Sequence, residues 1–576
     1  MKAFLWLLPL ICSATRRGTG QSCTVRHQLN DRQAHDLEML LVGGFTPLKG
    51  FMNRSDYDGV VERMRLSTGQ LWPLPVTLDT NNASKFPVGS CVTLLDTFGN
   101  PVARLKVEDV WRPNKTVEAL QCYGTLNRYD HPAVKYLMIY AGDFYVGGVV
   151  EGLQQLPTHW DLEEVRRTPA EVRAEIARRN WTEVVAFQTR NPMHYAHVEL
   201  VLRALRDSPG RGLLLHPVVG PTKPDDIPYD VRFQCYESLL SDGLLPQDRV
   251  LLSALPLAMR LAGPREALLH AIIRRNYGAT HFIVGRDHAG CKDSTGQDFY
   301  EPFAAADLAK SLEPELGITI ITPEAELVYA VGRGYMPASL TGPHDTLRKI
   351  SGTEMRSLLD REEVLPEWFT PPGVAQILRR YIIPASMRGL AVLVSGRSGS
   401  GKTTLVKSLR GPLRERQGPV TVLDGDQTRH LISAGLSHSR EDRLAHAARM
   451  GYIAGEIVKH RGLVLLSLVA PYRDFRQIIR DCVTANGGNF LHIHMNTSEA
   501  DCATRDKKSI YSSYDGESHA RQAYEGSMKD DYEVPSSMER TDLFLSGLSD
   551  PEENRDAVLA LLQGLGLVKA SSPEDS

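Results

Sequence analysis

Apolar residues early in the chain come in short runs broken by turn residues: Leu71-Trp-Pro-Leu-Pro-Val-Thr-Leu78, Ser90-Cys-Val-Thr-Leu-Leu95, and Val102 to Val110. Short runs at close spacing with Gly and Pro between them predict the strands of a β-rich, barrel-like N-terminal domain. The period then changes. Apolar positions repeat at helical spacing from Leu162 to Asn180, and strands and helices alternate afterwards: Glu183-Val-Val-Ala-Phe187, Gly212 to Val219, a helix from Tyr229 to Asp242, Arg249 to Leu255, a helix from Pro264 to Tyr277, and His281-Phe-Ile-Val284. Such alternation predicts βαβ units in a Rossmann-like parallel sheet, with ligands at the C-terminal ends of the strands. A mixed stretch from Gly317 to Pro384, with a Pro-rich segment from Pro366 to Pro372, predicts a small third domain or connector. Leu390-Ala-Val-Leu-Val-Ser395 reads as a buried strand that opens a second α/β series, and the polar tail from Ala570 to Ser576 is expected to fray. The expected bounds are 1–20 for a leading segment, 21–158, 159–316 and 317–386 for the next three regions, and 387–576 for the last.

Composition narrows the class without naming a function. The chain has 576 residues, and at roughly 100–200 residues per domain several domains are expected. Hydrophobic residues make up 42% and charged residues 23%, with a mean hydropathy of -0.24, as in folded soluble proteins. A net charge of -3 without a long Lys/Arg run argues against a dedicated nucleic-acid binder. The cysteines (12, 23, 91, 122, 235, 291, 482 and 502) show no CxxC or paired metal spacing, so neither a zinc site nor a disulfide framework is expected, and a reducing compartment follows. Lys2, the apolar run Ala3 to Cys12 and Ser13-Ala14 together resemble a short signal peptide, too short to span a bilayer. The segment is read instead as an extension or a misassigned start of a cytoplasmic protein with no membrane partner, because the ATP chemistry below needs a cytoplasmic nucleotide pool.

Two segments carry candidate chemistry. The first is Gln188-Thr-Arg-Asn-Pro-Met-His-Tyr-Ala-His197, directly after a predicted strand. Pro192 suits the first turn of a helix, and a helix start at this edge would offer free N–H groups to an anion. His194 and His197 would share a helix face there. Taken alone such a pair is more often structural, but Arg190 adds a guanidinium able to grip an oxyanion and Gln188 adds an amide. A second loop, Gly285-Arg-Asp-His-Ala-Gly290, also follows a predicted strand, although an ordinary βα turn would look similar.

With Pro256-Leu-Ala-Met-Arg-Leu-Ala-Gly-Pro-Arg-Glu266 and Ile350-Ser-Gly-Thr-Glu-Met-Arg356, these segments resemble ATP sulfurylase (sulfate adenylyltransferase) of the homo-oligomeric type. Asp36-Leu-Glu-Met-Leu40 and Gly43-Gly-Phe-Thr-Pro-Leu-Lys-Gly-Phe-Met52 resemble its PUA-like N-terminal domain. The resemblance implies attack of a sulfate oxygen on the α-phosphorus of Mg-ATP, giving adenylyl sulfate and pyrophosphate. Sulfate is already deprotonated, so catalysis falls to positioning and charge neutralisation. It further implies that Gln188, Arg190 and Ala289 contact sulfate, that Thr189, Arg190 and Asn191 form the reacting centre, and that His194 and His197 stabilise the phosphates. Gln188 and Arg190, with Gly285, Arg286, Asp287, His288 and the backbone near Leu327, would hold the nucleotide. A dimer or hexamer is implied as well.

The second segment, Gly396-Arg-Ser-Gly-Ser-Gly-Lys-Thr403, follows a predicted strand and precedes a helix from Thr404 to Arg410, the context of a P-loop. Gly396, Arg397, Ser398, Gly399, Ser400 and Gly401 would wrap the phosphates, Lys402 would reach the β and γ groups, and Thr403 would bind Mg²⁺. No Asn-Lys-x-Asp motif follows, which sets a GTPase aside. Leu423-Asp-Gly-Asp-Gln-Thr-Arg-His430, Gly435-Leu-Ser437 with Asp442-Arg443, Ala470-Pro-Tyr-Arg473 and Arg505-Asp-Lys-Lys-Ser-Ile-Tyr511 resemble adenylyl-sulfate kinase, which phosphorylates the 3'-hydroxyl of the first reaction's product. By that resemblance Asp424 and Asp426 handle the hydroxyl and Mg²⁺, Arg429 and Arg443 bind adenylyl sulfate, and Lys508 belongs to a lid. Gln427, Leu436, His446 and Ala470 depart from the kinase pattern. The reading is therefore bifunctional sulfate activation. The alternative keeps the sulfurylase alone, running in either direction, beside a nucleotide-binding regulatory domain.

Overall fold

The protein is described by a computed structural model covering residues 23–154, 160–206, 210–223, 226–322, 327–361, 363–505, 532–536 and 539–568. The leading segment 1–20 and Lys508 lie outside these residues. The described residues form two compact units, those within 1–189, 200–222 and 247–326 making one and those within 190–199, 223–246 and 327–576 the other.

In the first unit, six strands make a mixed sheet: β1 (Val25–Gln28), β2 (Gly50–Phe51), β3 (Leu78–Thr80), β4 (Cys91–Leu95), β5 (Pro101–Trp111) and β6 (Phe144–Gly152), ordered β1-β4-β5-β6-β2 with β3 against β6. The expected strand from Leu71 to Leu78 is replaced by one bridge, Arg65 to Leu71, and β3. Trp72, Leu74, Val76 and Leu78 are nonetheless fully buried. The period-two burial is real, but Pro73 and Pro75 have no N–H to give a ladder. Cys23 and Cys91 form a disulfide, against expectation. The cause is the parallel pairing of Val25 with Val92 next to it, which sets the two cysteine Cα atoms 5.0 Å apart although 68 residues separate them. Cys122, Cys235, Cys291, Cys482 and Cys502 form no disulfide among the described residues.

A second sheet in this unit is wholly parallel: β7 (Glu183–Phe187), β8 (Arg211–Leu215), β9 (Val250–Leu252), β10 (His281–Ile283) and β11 (Thr319–Ile321), ordered β11-β10-β7-β8-β9. The helix Gly263–Asn276 buries Leu268, Leu269, Ile272 and Ile273 in its core. Before β7 the helical stretch is shorter than its period suggests, Pro169–Arg178, because Thr168 and Glu171 close a capping box at its start.

The other unit contains a small antiparallel sheet of β12 (Leu327–Ala330), β13 (Gly334–Pro337) and β14 (Leu347–Arg348), and the packed helices Tyr229–Ser241 and Pro372–Tyr381. Its largest sheet is parallel: β15 (Leu390–Ser395), β16 (Val420–Asp424), β17 (Leu463–Ser467), β18 (Asn489–Met495) and β19 (Leu543–Leu545), ordered β16-β17-β15-β18-β19. Alternate residues of β15 enter different cores. Val392 and Val394 join Leu405, Leu409 and Val558, whereas Ala391 and Leu393 join Met450, Ala454 and Ile479. Helices thus cover both faces and β15 delivers Gly396 at its C-terminal end. Among the described residues no helix is long and apolar enough to cross a membrane.

Candidate functional site

Within the first unit, β7 ends at Phe187 and releases Gln188, whose Nε2 lies 4.0 Å from Met259 Sδ while its buried Oε1 has no hydrogen-bond partner. A buried amide atom left in this state costs about 1–3 kcal/mol unless a ligand satisfies it. The loop Gly285–Gly290 follows β10. Asp287 and Ala289 both adopt left-handed backbone (φ 54° and 55°), fixed by Asp287 N–H to Pro302 O at 2.8 Å and Gly263 N–H to Ala289 O at 3.1 Å. Ala289 is buried, and Arg286 and Asp287 are exposed. A Cβ added at Gly285 would meet nothing within 4 Å, so no neighbour in the protein demands glycine there. His288 Nε2 lies 3.0 Å from Nδ1 of His270, an imidazole that burial pushes down to about 4. His270 was not evident in the sequence, because only the helix from Gly263 brings it to the loop.

In the other unit, the helix expected from Pro192 begins three residues later, at Tyr195. His194 therefore precedes the helix while His197 lies in its first turn. The chain is held there by its own side chains: His194 N–H donates to His197 Nδ1 at 3.2 Å, and Tyr195 N–H donates to Phe369 O at 3.1 Å. His197 N–H and Val198 N–H both point to His194 O. The free N–H groups expected at this helix start are thus largely spent, and anion binding falls to side chains.

Both imidazoles are neutral at pH 7. Burial, and then the neighbouring His197, pushes His194 down to about 3; burial alone pushes His197 to about 4. Because His197 Nδ1 accepts from a backbone N–H, its proton sits on Nε2. Arg190 is also engaged: its Nη1 reaches both oxygens of Asp226 at 2.6 and 2.7 Å. Asp226 was missed in the sequence. It holds the guanidinium in place and leaves its other N–H groups for a second anion. Asn191 O accepts from Tyr236 OH at 2.8 Å, and Leu327 opens β12.

The P-loop is built from backbone geometry. Gly396, Gly399 and Gly401 take φ of 146°, 78° and 104°, which only glycine adopts without strain. The N–H groups of Gly399 and Gly401 carry no partner among the described residues. Lys402 Nζ donates to the carbonyls of Gly396 (2.9 Å) and Arg397 (2.7 Å), so the ammonium is held over the loop. Arg397 lies 4.6 Å over the Tyr532 ring. Thr403 Oγ1 lies 3.5 Å from both Asp424 Oδ2 and Ser467 Oγ. These are hard oxygen donors and fit Mg²⁺, which takes one or two protein oxygens and completes its shell with phosphates and water. Asp424 thus stands beside Thr403, while the exposed Asp426 gives its N–H to Asp424 Oδ1. A cleft of about 490 Å³, lined by Gly401, Thr404, Arg505, Gly547, Leu548 and Asn554 among others, opens beside the loop.

On the acceptor side, Arg429 Nη1 donates to Ser437 O at 3.1 Å and Arg443 Nε to His438 O at 2.9 Å, so both expected adenylyl-sulfate ligands converge on the loop after Gly435. Gln427 is exposed on the helix Gly425–Leu431, and half-buried Leu436 closes the loop's turn with its N–H on Ser433 O. His446 is buried against Ser433 Oγ at 2.8 Å and, through burial and then Arg429, is pushed down to about 4. Ala470 is buried with a φ of 46°, and its carbonyl accepts from Arg476 Nη1 at 2.7 Å.

Comparison with known proteins accounts for this arrangement. Family models for a PUA-like domain, ATP-sulfurylase and adenylylsulphate kinase match residues 13–155, 163–381 and 388–541 in turn. Sulfate adenylyltransferase of Aspergillus fumigatus is 41% identical over 526 residues, covering 89% of each chain. That of Emericella nidulans is 42% identical over 490 residues, covering 84% of each. Among solved structures, the hexameric APS kinase from Thiobacillus denitrificans aligns with a TM-score of 0.61 at 28% identity over 95% of this chain and 94% of that one. The chain belongs to the sulfate adenylyltransferase family and carries an adenylylsulphate kinase domain at its C-terminal end.

Proposed function

We propose that the chain activates sulfate in two consecutive steps. A sulfate oxygen attacks the α-phosphorus of ATP and pyrophosphate leaves; the 3'-hydroxyl of the resulting adenylyl sulfate then attacks the γ-phosphorus of a second ATP and ADP leaves. The observation that carries this reading is the presence, on one chain, of consecutive matches to both enzyme families with the P-loop lysine seated and Thr403 beside Asp424.

In the first step Gln188, Arg190 and Ala289 hold sulfate, and Thr189, Arg190 and Asn191 surround the reacting phosphorus. The Nε2–H of His197 donates to the phosphates, with His194 beside it, and Gly285, Arg286, Asp287, His288 and Leu327 hold the nucleotide. Neutral imidazoles supply oriented hydrogen-bond dipoles, and Arg190 supplies full charge. In the second step Gly396 to Gly401 wrap the phosphates, Lys402 neutralises them, Thr403 with Asp424 and Asp426 would hold Mg²⁺, which would offset charge on the transferring group, and a carboxylate of the Asp424–Asp426 pair takes the proton of the attacking hydroxyl. Arg429, Arg443 and Lys508 bind adenylyl sulfate. The domain bounds are proposed as 21–158, 159–316, 317–386 and 387–576, in a cytoplasmic homo-oligomer, dimer or hexamer.

Ala470 and His446 favour a second reading, in which the kinase-like domain only binds nucleotide. Purified protein should release pyrophosphate from ATP only when sulfate is present, and should convert supplied adenylyl sulfate to its 3'-phosphorylated form. Pyrophosphate release that ignores sulfate overturns the first step, and inert adenylyl sulfate overturns the second.

A further inference from the structure

The Pro-rich stretch from Pro366 to Pro372, which reads in the sequence as part of a small third domain or connector, is fixed in the structure against His194. Phe369 N–H and Thr370 N–H both donate to Pro366 O, at 2.9 and 3.2 Å, and Trp368 stacks on Tyr329 of β12 with ring centroids 5.0 Å apart. The turn so formed meets His194 in three ways. The Phe369 ring stacks on the imidazole (4.4 Å, 21°), Phe369 O accepts the N–H of Tyr195, and Thr370 Oγ1 lies 2.9 Å from His194 Nδ1. Thr370 is 1% exposed and its hydroxyl has this one partner among the described residues.

We infer that Thr370 is a positioning residue for the sulfurylase step, its buried hydroxyl donating to His194 Nδ1 so that the imidazole proton sits on Nε2. The choice of donor follows from the hydroxyl's own proton. If Nδ1 carried the hydrogen and the hydroxyl accepted it, the hydroxyl proton would be a buried donor without an acceptor, at a cost of about 1–3 kcal/mol. If the hydroxyl donates, only lone pairs go unused. His197 reaches the same tautomer by another route, through the backbone N–H of His194 on its Nδ1. Both imidazoles of the motif then present Nε2–H donors, the form required to meet phosphate oxygens without first taking up a proton. Stacking on Phe369 fixes the plane of the ring, and the hydroxyl fixes which nitrogen carries hydrogen.

The inference rests on the proposed sulfurylase reading, and its test separates the two. Thr370→Val keeps the shape and removes the hydroxyl; Thr370→Ser keeps the hydroxyl. Sulfate-dependent pyrophosphate release by T370V should fall at least about tenfold in kcat, with KM for ATP changed less than about threefold, and T370S should recover to within about twofold of the parent. Phosphorylation of supplied adenylyl sulfate should be unchanged in both. In protein labelled with ¹⁵N-histidine, the His194 resonance, assigned by its loss in His194→Asn, should show a protonated Nε2 in the parent and in T370S and a mixture of tautomers in T370V. A T370V protein with parental kcat, a T370S protein as slow as T370V, or a parent His194 protonated at Nδ1 would overturn the role of Thr370. A parent that releases no sulfate-dependent pyrophosphate would instead refute the function, and the resonance would still decide the tautomer.

Discussion

The segment Gln188–His197 and the segment Gly396–Thr403 both follow a parallel strand and both read as anion grips, yet they are built by opposite means. At the P-loop the backbone is the ligand: three glycines take positive φ, the N–H groups of Gly399 and Gly401 have no partner among the described residues, and Lys402 lies over the loop. At the other segment the backbone N–H groups are already spent on His197, Phe369 and His194, and the chemistry rests on side chains held by distant residues: Arg190 by Asp226, His194 by Thr370. A backbone grip is local and carries its own sequence signature. A side-chain grip is assembled by the fold, so its supporting residues cannot be read from one stretch of sequence.

The sharpest break between the two is in activity. Arg190→Ala should lower sulfate-dependent pyrophosphate release by ~10²-fold or more while phosphorylation of supplied adenylyl sulfate continues. Lys402→Ala should do the reverse, and loss of both activities in either variant would mean that the two grips are not independent. A smaller effect separates the glycines. At Gly396 a Cβ would lie 2.7 Å from Ser400 Oγ and 2.9 Å from Met495 O, at a φ of 146°, so Gly396→Ala should cost both kinase activity and about 1–3 kcal/mol of stability. Gly285→Ala meets nothing in the protein and should leave stability within about 0.5 kcal/mol while raising the sulfurylase KM for ATP. Denaturant melts compared with steady-state kinetics check both.

A separate effect comes with pH. Folding lowers the pKa of His194 to about 3 and of His197, His446 and His494 to about 4, in each case chiefly through burial, from an ordinary 6.5. Above pH 6.5 these groups are neutral folded or unfolded, and stability is at its full value. As pH falls toward about 4 the unfolded chain takes up protons that the folded one does not, so stability declines. Melting temperature should therefore drop from pH 7 to pH 5, and a rise over that range would contradict the buried neutral histidines.

Much of this was legible in the sequence. β7 and β15 coincide with their apolar runs because a strand covered on both faces leaves a continuous hydrophobic stretch, and the P-loop follows from its glycines. The start of the helix at Tyr195 was misplaced because Pro192 is compatible with a first turn, while tertiary bonds to Phe369 and His197 decided otherwise. The Cys23–Cys91 bond depended on a parallel register between β1 and β4 that composition does not encode. Thr370 lies 176 residues from His194 along the chain, in a stretch that suggested a small third domain or a connector and no part in the site.

The central claim is that both grips work in succession on one chain. Purified protein incubated with ATP in excess, Mg²⁺, inorganic pyrophosphatase and radiolabelled sulfate tests it most directly, with the labelled products separated by charge. The account predicts that label accumulates in 3'-phosphorylated adenylyl sulfate, and that Lys402→Ala stops it at adenylyl sulfate. Label resting in adenylyl sulfate for the unaltered protein would contradict it.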